Sequence, residues 1–308
     1  MGLKTLLVLG VAIALVGPMN AAGAPEYTDW STPVNMGSTV NSNVTDQGPA
    51  LSKDGLSLYI TTSRPGGSGG NDLWVSQRDS EDDSWGSPVN LGSTVNSASL
   101  DGAPSFSRDG HWMFFNSERA GGEGALDIWC SYRSDTHDDF DWEAPFNLGP
   151  NINGDSTDGG ATYFENEDGD ARQLFFGGTR STGLGGTDVY MSTLQSDGTW
   201  GEAVLVEELS SSALDQRPSI RHDGLEMFIT SNRPGGLGNL DMWVSTRAST
   251  SDDWGTPVNV EEVNGASGDS QAFISSDRET LILVSNRAGG SGNTDLWIST
   301  REKANGNQ

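Results

Sequence analysis

Residues 287–299 read RAGGSGNTDLWIS, and residues 64–76 read RPGGSGGNDLWVS. The same phrase occurs five times: an Arg, a glycine-rich loop, an Asp eight residues after the Arg, then an apolar run. Its Arg–Asp pairs are Arg64/Asp72, Arg119/Asp127, Arg180/Asp188, Arg233/Asp241 and Arg287/Asp295. Glycine stands at the third and fifth place after each of these Arg residues, starting with Gly67 and Gly69. Self-similarity at a fixed period marks a repeat architecture.

Working outward from the phrase, four strand-like elements fit each copy. Trp30, Trp85, Trp142, Trp200 and Trp254 open the outer segments, with gaps of 55, 57, 58 and 54 residues. A first strand starts at an Asp, as in Asp101–Ser107. It turns through Asp-Gly steps such as Asp54–Gly55, Asp109–Gly110 and Asp223–Gly224. Asp-Gly between two strand-like runs is a strong hairpin signal. The second strand ends at the repeated Arg, and the third begins just after the paired Asp. The fourth carries Pro33, Pro88, Pro145 or Pro257. Proline lacks an N–H and suits an outermost strand, where it also discourages pairing with other molecules.

This pattern predicts an all-β fold: a five-bladed β-propeller with four antiparallel strands per blade. The chain begins with a fourth-strand motif, Trp30–Asn35, and ends with a third strand, Leu296–Arg301. The N-terminal strand is therefore expected to complete the last blade and close the ring.

Residues 1–24 read as a secretory signal peptide: Lys4, an apolar run from Leu6 to Val16, then small residues to Ala24. Residues 25–308 form the propeller domain. A periplasmic or extracellular monomer is expected, with no membrane insertion after signal cleavage. The net charge of −26 argues against nucleic acid as a partner, because phosphate binding needs Lys and Arg. Cys130 is the only cysteine, so no internal disulfide forms, and its place in an apolar run predicts a buried small hydrophobe.

The second copy carries Asp101, Pro104, Ser107, Asp109, Gly110, Ser117, Arg119, Gly121, Gly122, Asp127 and Trp129. That pattern resembles the WD-like propeller repeat of the TolB C-terminal domain, here in five copies rather than six. The resemblance covers residues 27–301. It implies a non-catalytic scaffold for protein–protein contacts in the bacterial envelope or outside the cell.

Within the repeat, each Arg–Asp pair flanks one loop, where an ion pair across the hairpin is easy to form. Five identical copies point to structural clamps, because catalysis needs unlike groups at one point. Arg78, Arg133, Arg247 and Arg301 follow the third strand, with Leu194 at that place in the third copy. Nine of the 17 Lys and Arg residues thus serve the repeat. The Asp residues opening the first strands, Asp46, Asp101, Asp158, Asp215 and Asp269, have two readings. They could ring the mouth of the central channel and favour a cation or a polyhydroxylated ligand. Alternatively, each caps its own loop through backbone N–H groups.

The copies disagree beside this ring, and Arg217 is the one basic substitution there. Glu118 replaces a Ser, Thr or Asn, so with Asp101 or Asp158 it is the candidate for glycoside hydrolase chemistry. A lectin with five equivalent sites between blades is the other carbohydrate-directed alternative. The working face is expected to be the one bearing the glycine loops, with a protein or polysaccharide as partner. The histidines lack metal-ligand spacing. No cofactor is expected, although a cation would fit the channel. His111 and His222 fall beside the hairpin turns, and the long third-copy hairpin, Glu165–Arg172, reads as a solvated tip.

Overall fold

The computed structural model describes residues 27–166, 169 and 171–304; the expected signal peptide lies outside them. Alternating apolar positions bounded by Asp-Gly turns give short antiparallel strands, which form five four-stranded sheets. The first blade comprises Asp46–Leu51, Ser57–Thr62, Asp72–Gln77 and Val89–Asn90. The next three blades repeat that order from Asp101, Asp158 and Asp215. The fifth uses Asp269–Ile274, Thr280–Ser285 and Asp295–Thr300, and takes Val34–Asn35 as its fourth strand. The protein is a five-bladed β-propeller closed by its N-terminal segment, as the order of motifs predicts. Among the described residues, no helix is long and apolar enough to cross a membrane.

Five buried clusters hold the ring, one at each junction between blades. At the first junction Tyr59, Leu73 and Val75 pack against Met113, Phe115, Trp129 and Trp142. At the closing junction Leu58, Ile60 and Trp74 meet Ile282, Val284 and Leu296. Cys130 is buried at the second junction, and burial pushes its thiol well above the usual range. The first junction also holds a polar cluster. There Asp139 accepts from Ser57 Oγ at 2.5 Å, Tyr59 Oη at 2.7 Å, Gln77 Nε2 at 2.8 Å and Arg133 Nη1 at 3.0 Å.

The Arg after each third strand lies over the Trp of its outer segment. Arg78, Arg133, Arg247 and Arg301 sit 4.2–4.5 Å from the ring centres of Trp85, Trp142, Trp254 and Trp30. In the third blade, Leu194 meets Trp200 through the backbone instead. The outer strands are only two residues long, which limits the free edge each one offers.

The two repeated glycines have separate causes. A Cβ at the third place after the Arg would fall 1.7–2.2 Å from the carboxylate of the same loop's Asp. A Cβ at the fifth place would fall 1.8–2.4 Å from a carbonyl oxygen of the next blade. The loop is therefore a wedge pressed against its neighbour's backbone. Gly292 makes this contact across the closing seam, against the Val44 carbonyl. Gly292→Ala is expected to lower stability by about 1–3 kcal/mol, the range for inserting bulk into packed structure. Gly70→Ala, where a Cβ meets nothing within 4 Å, should stay within about 0.5 kcal/mol of wild type. Urea midpoints compared at constant slope distinguish the two.

Candidate functional site

The expected ion pair across each glycine loop does not form. Each loop Asp instead accepts hydrogen bonds from its own loop: Asp72 from the N–H of Ser68 at 2.5 Å and Gly69 at 3.2 Å. Asp127, Asp188, Asp241 and Asp295 make the matching contacts. The repeated Arg reaches the Asp that opens the first strand of its own blade. Arg64–Asp46 is 2.7 Å, Arg119–Asp101 2.5 Å, Arg180–Asp158 2.8 Å and Arg233–Asp215 2.5 Å, and Arg287 pairs with Asp269. The loop carboxylate is turned into its own loop, where it accepts amides three and four residues back, while the opening Asp is left to the Arg.

Asp46, Asp101, Asp158, Asp215 and Asp269 are 0–1 % exposed and do not ring the channel. Besides its Arg, Asp101 takes the Ser97 N–H at 2.5 Å and the Ser117 hydroxyl at 2.6 Å. Its own N–H donates to the Asn71 carbonyl of the preceding blade at 2.8 Å, and the other four amides do likewise at 2.7–3.0 Å. Burial holds Asp158 above the usual carboxylate range despite the Gly154 N–H and Arg180. Glu118 is exposed at the glycine-loop end of its strand, beside a fully buried Asp101. On that face, where the lectin alternative placed its five sites, the wedges press against the backbone of the neighbouring blade.

A large cavity opens on the opposite face, among the Asp-Gly hairpins, and not on the glycine-loop face. It is a chamber of about 510 Å³ running down the central channel. Phe106, Tyr163, Phe164 and Phe273 are among its lining residues, with Ser52, Ser107, Thr162 and Ser275. Phe164 is itself buried in the junction core, and Ser52, Ser107 and Ser275 give their hydroxyls to Asp54, Asp109 and Asp277. Lys53, Arg108, Glu165, His222 and Asp277 stand around it. Its lining continues outward along the closing seam, past Met36 and Ile298 to Arg78, Glu81 and Trp85. His222, placed beside a hairpin turn by the sequence, lines the chamber. Desolvation, together with nearby Arg108, pulls its ring below its ordinary value, so it is neutral at pH 7. Glu165, expected on a solvated tip, lines the chamber and pairs with Arg172 at 3.4 Å. Burial, then the Glu165 carboxylate, push the Tyr163 phenol up, which keeps it neutral.

The chamber narrows to a neck of about 40 Å³ lined by Gly48, Ala103, Gly160, Arg217 and Gln271. Each stands at a β-bulge in a first strand, with φ between 53° and 63°. Proline or alanine follows at every position: Pro49, Pro104, Ala161, Pro218 and Ala272. Arg217, singled out in the sequence, is at the neck; Lys53, Arg108, Tyr163 and Phe273 were missed. The signal for Lys53 and Arg108 was divergence between copies at the hairpin tips.

No family model matches the sequence, and no curated protein matches it. Many solved structures share its fold. An α-L-arabinofuranosidase from Lactobacillus brevis superposes with a TM-score of 0.58 at 15 % identity, covering 84 % of this chain and 91 % of that one. The catalytic domain of an α-L-arabinofuranosidase from Coprinopsis cinerea gives 0.56 at 14 % identity, covering 90 % and 98 %. TolB from Acinetobacter baumannii gives 0.48 at 13 % identity, covering 84 % of this chain and 55 % of that one. At these identities the likeness is one of fold.

Proposed function

We propose that this protein binds a carbohydrate in the hairpin-face chamber and does not cleave it. The chamber carries the reading: its volume falls in the range of small-ligand sites, about 300–1,000 Å³, and its lining combines aromatic with polar side chains. Rings stack on the apolar faces of sugars, and hydroxyls and amides match their edges. The arabinofuranosidases that share the fold support a sugar as the ligand class. A secreted protein would meet such a ligand as a polysaccharide.

The wall does not favour hydrolysis. Glycosidases of the common kind need two carboxyl groups about 5–9.5 Å apart, one of them free to give a proton. Glu165 is held by Arg172. Asp277 is taken by its own turn, through the Ser275 hydroxyl and the Glu279 N–H. The opening Asp residues are buried against Arg. The test is a glycan array run beside a reducing-sugar assay on the polysaccharides that bind. Binding without sugar release is expected. Release that disappears in Glu165→Gln would make it a hydrolase, and a blank array would remove the carbohydrate reading.

A further inference from the structure

Resting on that reading, we propose that the neck is an oxyanion site: Arg217 holds the carboxylate or sulfate ester of a charged sugar that enters from the chamber. Most cations of this chain already have partners. The repeat consumes nine basic residues. Arg172, Arg221 and Arg278 pair with Glu165, Asp223 and Glu226. Arg217 and Lys53, by contrast, have no hydrogen-bond or ion-pair partner among the described residues. Arg108 has one long hydrogen bond, 3.4 Å to the Glu165 carbonyl, and no carboxylate partner among the described residues. In a chain of net charge −26, three cations without a carboxylate partner among the described residues line one channel.

Arg217 is the one at the floor. Burial pulls its guanidinium down to about 10, still charged at neutral pH. Arg217 is half-buried, so its charge is partly desolvated with no counter-ion among the described residues, and an incoming anion offsets that cost. The backbone is also held in an unfavourable state there. Arg217 has φ 54°, where the first and third blades use Gly48 and Gly160. Gly160 leaves room for the side chain, since a Cβ on it would lie 2.5 Å from Arg217 Cδ.

The amide belt around the neck breaks at the same place. Thr61 accepts the Ala103 N–H at 2.8 Å, Asn116 the Gly160 N–H at 2.8 Å, and Thr230 the Gln271 N–H at 2.9 Å. Gln271 Oε1 serves Gly48 at 3.0 Å. Before Arg217 the corresponding residue is Gly177, paired with Gly159 as Thr61 is with Gln47, and it has no side chain to offer. A guanidinium and a broken belt therefore meet at a neck large enough for more than one water, each needing about 10–15 Å³. That suits a small planar or tetrahedral oxyanion.

Titration calorimetry at low salt on the whole protein tests this with trigalacturonate, its methyl ester, a sulfated galactose, neutral galactotriose and sodium sulfate. Trigalacturonate or the sulfated sugar should bind at least ten times more tightly than its neutral counterpart. The preferred one of the two identifies the oxyanion. Arg217→Gln should abolish that preference without lowering the melting temperature, because Gln271 occupies the equivalent position at the same φ. Arg217→Gly provides a second variant suited to that backbone. Equal binding of charged and neutral sugars, or an unchanged preference in both variants, overturns the oxyanion site and leaves the carbohydrate reading standing. Sulfate binding as tightly as the sugars overturns the charged-sugar proposal. If nothing binds, both readings fall.

Discussion

A chain lacking residues 27–41 should lose cooperative unfolding altogether. That segment contributes far more than a two-residue strand. Trp30 is buried with Phe228, Val263 and Leu281, and its loss alone, as Trp30→Ala, should cost about 3–5 kcal/mol. Asn41 gives its side-chain oxygen to the Leu296 N–H at 2.8 Å and its amide to the Leu296 carbonyl at 3.0 Å. The N–H groups of Thr28, Ser31 and Met36 pair with the carbonyls of Glu302, Thr300 and Leu296. Arg301 sits over both Tyr27 and Trp30, at 4.4 and 4.3 Å. Removing all of this exceeds the roughly 5–15 kcal/mol by which domains are stable. Near-ultraviolet circular dichroism during a thermal melt should show no native signal. A sharp transition within a few degrees of the full chain would mean that the ring does not depend on its clasp.

The second large effect is expected at Asp101. Asp101→Ala removes the carboxylate from Arg119 and leaves the Ser97 N–H and the Ser117 hydroxyl without their acceptor. Breaking a buried pair from one side costs about 3–5 kcal/mol, because the remaining charge has lost its compensation. Glu118→Ala, at an exposed neighbour, should move stability by no more than about 0.5 kcal/mol. Denaturant titration of the two proteins checks the contrast. Equal midpoints would refute the view that these acids are structural.

The fold was legible because its signals are local. Asp-Gly turns, the Arg-to-Asp register and the Trp spacing each act within a few residues and repeat five times. The partner of the repeated Arg was harder to see. Both Asp residues of a blade keep a fixed spacing from it, the opening Asp being 18 residues before the Arg in four copies, as Asp46 is from Arg64. Only geometry shows that Asp72 is turned into its own loop, toward the Ser68 and Gly69 N–H groups. The chamber was not legible at all. Its wall comes from five hairpins far apart in sequence, and their convergence is a property of the closed ring. Arg217 could be picked out because it breaks a pattern, whereas Lys53 and Arg108 sit at hairpin tips where no two copies agree.

The clasp has one more consequence. Tyr27 and Lys303 are bridged partners, so the described ends of the domain lie side by side. Every blade is joined to the next by the same wedge and the same amide bond from its opening Asp. The molecule therefore has no intrinsic first blade. Its linear order is one of several circular permutations that would give the same set of contacts, and the point where the chain is cut is free to shift without redesign of the core.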